Sequence, residues 1–129
     1  MVLEYLGIYR SHEWLSRLLD STEIGTPFSN IDRLDAALGL VIERGEWATL
    51  TAFASFLEDG LPIIVAVDSD APDQWPYCQN HAVVVVGFTP AEIYVNNPAV
   101  NEAPEIVDVN TFLWAWSRRD YEYAVIRLV

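Results

Sequence analysis

The sequence predicts an α+β domain, with helices in its first half and an antiparallel sheet in its second. Two observations carry this. Apolar residues recur at helical spacing up to residue 58, where Leu50, Phe53 and Leu57 share one face. Beyond Asp59-Gly60 the pattern changes to β-branched, apolar runs separated by turn residues. Helices first and strands afterwards is an α+β layout.

Taken in order, residues 1–6 read as the tail of a helix, with Val2, Leu3 and Leu6 on its apolar face and Gly7 at its C′ position. No capping residue opens this helix, so its natural start is expected upstream of Met1. Ser11 caps a short helix through Asp20. Ser29 and Asp32 form a capping-box-like start, and Ile31, Leu34, Leu38 and Val41 carry that helix up to Gly45. Thr49 to Glu58 is a further helix. Leu61 to Val67 reads as a strand, His81 to Phe88 as a second, and Glu92 to Asn96 as a third, with Thr89-Pro90-Ala91 as the turn between the last two. Ile106 to Val109 is a short strand, Asn110 to Arg118 a helix and Tyr121 to Leu128 the last strand. With no repeat, linker or low-complexity stretch, residues 1–129 are expected to form a single domain.

Composition narrows the function. Apolar residues make up 52% and charged residues 20%, a globular balance. The 7 Arg against 19 Asp plus Glu, with no Lys at all, give a net charge of −12, which repels nucleic acid and anionic lipid. A basic peptide would be attracted, although acidity also serves solubility alone. No apolar run is long enough to span a bilayer and no basic n-region opens the chain, so a cytoplasmic location away from membranes is expected. The single cysteine, Cys78, allows no internal disulfide and fits a reducing compartment. Asp68, Asp70 and Asp73 lack the D-x-D-x-D-G pattern of a calcium loop, and His12-Glu13 lacks the second histidine of a zinc helix, so neither metal nor cofactor is expected.

The informative stretch is Asn80-His81, at the mouth of a buried strand, followed by Asn96-Asn97-Pro98 closing the next one. If the hairpin turn centres near residue 90, His81 lies opposite about position 99, and Asn97 is its diagonal neighbour on the same face. A slip of one residue would put Asn96 there instead. An imidazole oriented by a side-chain amide is the base half of a Cys-His-Asn triad. The alternative is a core histidine bonded to nearby backbone, with Asn97-Pro98 simply ending a strand. Trp75 and Tyr77 are candidates to contact a bound peptide, or else pack their loop down. Phe112, Trp114 and Trp116 are expected as core or rim packing.

Three blocks, Gly60-Leu61-Pro62-Ile63-Ile64-Val65, His81-Ala82-Val83-Val84-Val85-Val86-Gly87 and Tyr94-Val95-Asn96-Asn97-Pro98, resemble the peptidases that cut double-glycine leaders from bacteriocin precursors, and their stand-alone relatives. Met1-Val2-Leu3-Glu4-Tyr5-Leu6-Gly7 resembles the end of that family's catalytic helix. The resemblance implies a papain-like fold, a peptide or protein substrate, His81 as catalytic base and Asn97 as the orienting residue, which in this family is usually Asp. It also implies a Cys-Gly-Pro motif and an upstream glutamine, the nucleophile and an oxyanion donor. Both would precede Met1. The chain as given is therefore expected to lack its nucleophile and to be inactive; the alternatives are an active cysteine peptidase whose Gln/Cys segment lies upstream of Met1, and a non-catalytic module that binds peptides or is complemented by a partner. The apolar face of residues 1–6 would then favour a homo-oligomer. Cys78, three residues before His81, is a weak substitute, since it lacks the helix N-terminus that lowers a thiol pKa.

Overall fold

The structure, a computed structural model, describes residues 31, 33, 38–69, 74–76, 78, 79, 81–97 and 104–128. The helices expected over residues 1–6 and 11–20, the capping pair Ser29 and Asp32, and the face proposed for self-association lie outside these residues. Six strands and two helices are described: β1 (Leu40–Gly45), α1 (Leu50–Glu58), β2 (Ile63–Val67), β3 (His81–Phe88), β4 (Glu92–Asn96), β5 (Glu105–Asp108), α2 (Val109–Ser117) and β6 (Tyr123–Leu128). The strands hydrogen-bond in the order β1-β6-β2-β3-β4-β5. This is the α+β arrangement expected.

One expectation is corrected. The helix that the apolar spacing carried to Gly45 ends before it: residues 40–45 are β1. Gly39 stands at φ +65°, a backbone conformation that closes a helix and that other residues adopt only with strain. The β-branched Val41-Ile42 that follows it suits an extended strand better than a further helical turn.

The chain falls into two compact units, Gly45–Val125 and Met1–Arg44 with Ile126–Val129. In the smaller unit, Arg127 pairs with Glu43 at 3.7 Å. Both side chains are partly exposed, so the pair contributes little to stability.

The larger unit holds the core. α1 is opened by Thr49, whose Oγ1 accepts from Ala52 N at 3.3 Å. α2 is opened by Asp108, whose carboxylate accepts from Asn110 N at 3.0 Å and Thr111 N at 3.2 Å. Phe112, Ala115 and Trp116, at i, i+3 and i+4, point inward from α2 and are fully buried. They meet the inward residues of β2, β3 and β4, including Val65, Val67, Val83, Val85, Ile93 and Val95. Phe53 of α1 stacks on Trp116 with centroids 4.8 Å apart. The buried indole N–H of Trp116 donates to Glu122 O at 2.9 Å, so this large side chain leaves no donor unpaired. Trp114, on the other side of α2, is 55% exposed, with the Arg118 guanidinium 6.0 Å from its ring.

The β3–β4 hairpin positions everything that follows. Its turn is held by Thr89, whose N donates to Glu92 O at 2.8 Å and whose Oγ1 accepts from Ala91 N and Glu92 N. Next to the turn Phe88 faces Ile93 and Gly87 faces Tyr94; farther out Val85 faces Val95 and Val84 faces Asn96. The register therefore shifts between Val85 and Gly87, leaving Val86 as an extra residue on β3, a β-bulge.

Candidate active site

His81 is the first residue of β3 and faces Val67, the last residue of β2. Because Val84 faces Asn96, the same register places Asn97 level with Val83 and diagonal to His81 on the inward face. Without the bulge, Asn97 would fall level with Val84 and point to the opposite face. A count from a turn centred near residue 90 gives this same placement; the pairs beside the turn are centred half a residue later, and the bulge at Val86 absorbs the difference.

Across that diagonal, His81 Nε2 lies 3.0 Å from Asn97 Oδ1. Asn97 is 2% exposed, and His81 is half-buried. The other end of the amide fixes its orientation. Asn97 Nδ2 donates to Glu105 Oε1 at 3.2 Å and to Cys78 Sγ at 3.4 Å. A flipped amide would set its oxygen against the Glu105 carboxylate, so Oδ1 is the atom that faces the imidazole. An amide oxygen only accepts, so in the neutral imidazole the proton belongs on Nε2 and the lone pair on Nδ1. That is the tautomer a base needs when it takes a proton at Nδ1.

Cys78 lies at the opposite end of the same amide. It is fully buried, and its carbonyl accepts from Ser69 N at 2.8 Å, which ties this loop to the exit of β2. Burial, then the charge of Glu105, pushes its thiol up from 9.0 to about 12, against a smaller opposing pull from the Asn97 hydrogen bond. A thiol so placed stays protonated at neutral pH.

Trp75 is also buried, 1% exposed, and its indole N–H donates to Glu105 Oε1 at 2.9 Å. Its ring lies 6.1 Å from that of Phe112. It packs the loop down, the second of the two roles open to it from sequence. Tyr77 and Asn80 lie outside the described residues. Glu105, the first residue of β5, escaped the sequence reading. It opens a short edge strand after a long connection, and nothing local separates it from a solvated acid; only the pairing of β5 with β4 brings it to Asn97. Among the described residues, no group of three or more His, Cys, Asp or Glu could hold a metal ion. No described helix is long and apolar enough to cross a membrane.

The sequence profile of the Peptidase_C39 like family matches residues 1–124. No curated protein matches. Among solved structures, the peptidase domain of Streptococcus ComA, a bi-functional ABC transporter involved in a quorum-sensing pathway, superimposes with a TM-score of 0.77 at 19% identity, over 99% of this chain and 85% of that one. A chain described as a C39-like peptidase from Bacillus anthracis superimposes with a TM-score of 0.73 at 14% identity, over 97% of this chain and 83% of that one. At such identities the structures speak for the fold alone, while the profile spans nearly the whole sequence. The chain belongs to the Peptidase_C39-like family.

Proposed function

We propose that residues 1–129 carry the base half of a thiol peptidase site, with His81 as the base and Asn97 as the residue that orients it. The observation that carries this reading is the 3.0 Å contact between His81 Nε2 and an Asn97 oxygen whose amide is buried and held at its far end. In this reading Nδ1 takes the proton of a cysteine thiol. The thiolate attacks the peptide carbonyl, and the imidazolium returns the proton to the departing amine. Water, deprotonated by the same Nδ1, then cleaves the thioester, releasing the acid and regenerating the thiol. The substrate is a peptide or protein segment.

The nucleophile in this scheme is not Cys78. Its thiol is protonated at neutral pH and bonded to the wrong end of Asn97. Residues 1–129 alone are therefore expected to be catalytically silent, and hydrolysis to require a cysteine brought to Nδ1 from outside them. The inertness of Cys78 equally favours a second reading, a domain that binds peptides without cutting them.

One experiment separates the two. An N-terminal extension carrying a glutamine and a Cys-Gly-Pro helix start is fused ahead of Met1. The added cysteine should then be alkylated at neutral pH much faster than in a His81→Ala background, and peptide cleavage should appear with it. No gain in labelling or cleavage would sink the peptidase reading; retained peptide binding under the same conditions would support the second.

A further inference from the structure

We infer that Glu105 is a positioning residue of this site, holding the Asn97 amide so that its oxygen, and not its NH2 group, faces His81. Two hydrogen-bond donors meet on one carboxylate oxygen: Trp75 Nε1 at 2.9 Å and Asn97 Nδ2 at 3.2 Å. Trp75 and Asn97 are both almost fully buried, so each would lose a costly partner if that oxygen were removed. The indole comes from a loop braced against Phe112 of α2, and the carboxylate from the start of β5, where Glu105 faces Val95. Trp75 thus fixes where Glu105 Oε1 sits, Glu105 fixes which way Asn97 turns, and Asn97 fixes the tautomer of His81. The negative charge of the site stands one residue behind the amide, on Glu105.

This arrangement accounts for an amide at position 97. A carboxylate there would sit about 3.2 Å from Glu105 Oε1, with two like charges and no proton between them. Positions 97 and 105 are therefore coupled: one carboxylate and one amide satisfy the site, and two carboxylates do not. The inference rests on His81 as the working imidazole, but its test needs no catalysis.

The chain 1–129 is prepared as Asn97→Asp, Glu105→Gln and the double variant, and its thermal midpoint is measured for each. Asn97→Asp should lose several degrees. Glu105→Gln keeps an accepting oxygen and should lose less. The double variant should recover most of the Asn97→Asp loss, because it restores one carboxylate and one amide. Long-range 15N spectra of His81 supply the second readout. The native chain and Glu105→Gln should show predominantly the Nε2–H form, and Glu105→Leu a mixture with Nδ1–H. A double variant no better folded than Asn97→Asp, or a His81 tautomer unmoved in a folded Glu105→Leu chain, would overturn the assignment. Should Asn97→Asp fail to fold at all, folding of the double variant is the supporting result and its failure the opposing one. Loss of this coupling would leave the base role of His81 to stand or fall on the labelling experiment above.

Discussion

Asn97 Nδ2 donates to Cys78 Sγ at 3.4 Å, so the only thiol of the chain is bound to the end of the amide that does not face the imidazole. A free thiolate is what alkylating reagents read. With its pKa about 12, Cys78 holds far less thiolate at pH 8 than the same residue in an unfolded chain. We expect iodoacetamide to label it at least about 100-fold more slowly in the folded protein than in urea, since thiolate falls about tenfold per pH unit below the pKa. Equal rates in the two states would remove Cys78 from the interior and reopen it as a nucleophile.

The same thiol makes stability depend on alkaline pH, and the sign follows from linkage. Its pKa is raised on folding, from 9.0 to about 12, so between those values the folded chain keeps a proton that the unfolded chain releases. The contribution is fully present below pH 9 and is lost as pH rises through that window, by about 1.4 kcal/mol per unit. Urea titrations at pH 8 and pH 10.5 should show the native chain losing more stability than Cys78→Ala. Parallel losses would mean that the thiol is not what titrates.

Removing the amide strips partners from both sides of the site. In Asn97→Ala, Glu105 and Cys78 each lose a donor and His81 loses its acceptor. A cost of about 1–3 kcal/mol is expected from the groups left unsatisfied. Differential scanning calorimetry of Asn97→Ala against Asn97→Gln measures it, and an unchanged midpoint would mean that these contacts do not hold the hairpin ends together.

The aromatic residues of α1 and α2 divide into two kinds, and single substitutions tell them apart. Phe53 is fully buried against Trp116, so Phe53→Ala should cost about 3–5 kcal/mol. Trp114 is more than half exposed, and Trp114→Ala should stay within about 0.5 kcal/mol of the native chain. Chemical denaturation midpoints decide; a comparable loss in both would mean that Trp114 is not exposed in solution.

Much of this was legible in the residues themselves. The strands β3 and β4 and their turn could be read to the residue, because Val and Ile runs bounded by Thr89-Pro90-Ala91 allow few alternatives. α1 was equally clear from Thr49 and its apolar face. Two things were not. Helical spacing of Leu34, Leu38 and Val41 ran on past Gly39, whose positive φ is a backbone fact that periodicity does not record. Glu105 was invisible because its role depends on strand pairing between β4 and β5, a long-range property with no local signature. His81 and Asn97 were found by counting back from the turn, and that count lands correctly only because Val86 is inserted.

Val86 gives the hairpin a phase. The turn at Thr89–Ala91 and the pair His81–Asn97 are one residue out of step, and the bulge between them absorbs the difference. Length changes in the two places are thus not independent. Relatives that shorten or lengthen this turn by one residue on one strand should lose or move the bulge to match, while changes that leave both strands in step need no compensation. Hairpin length and bulge should change together, as the tooth count of two meshed gears must, and a designer who trims the turn without touching residue 86 would rotate Asn97 out of the site while leaving every strand in place.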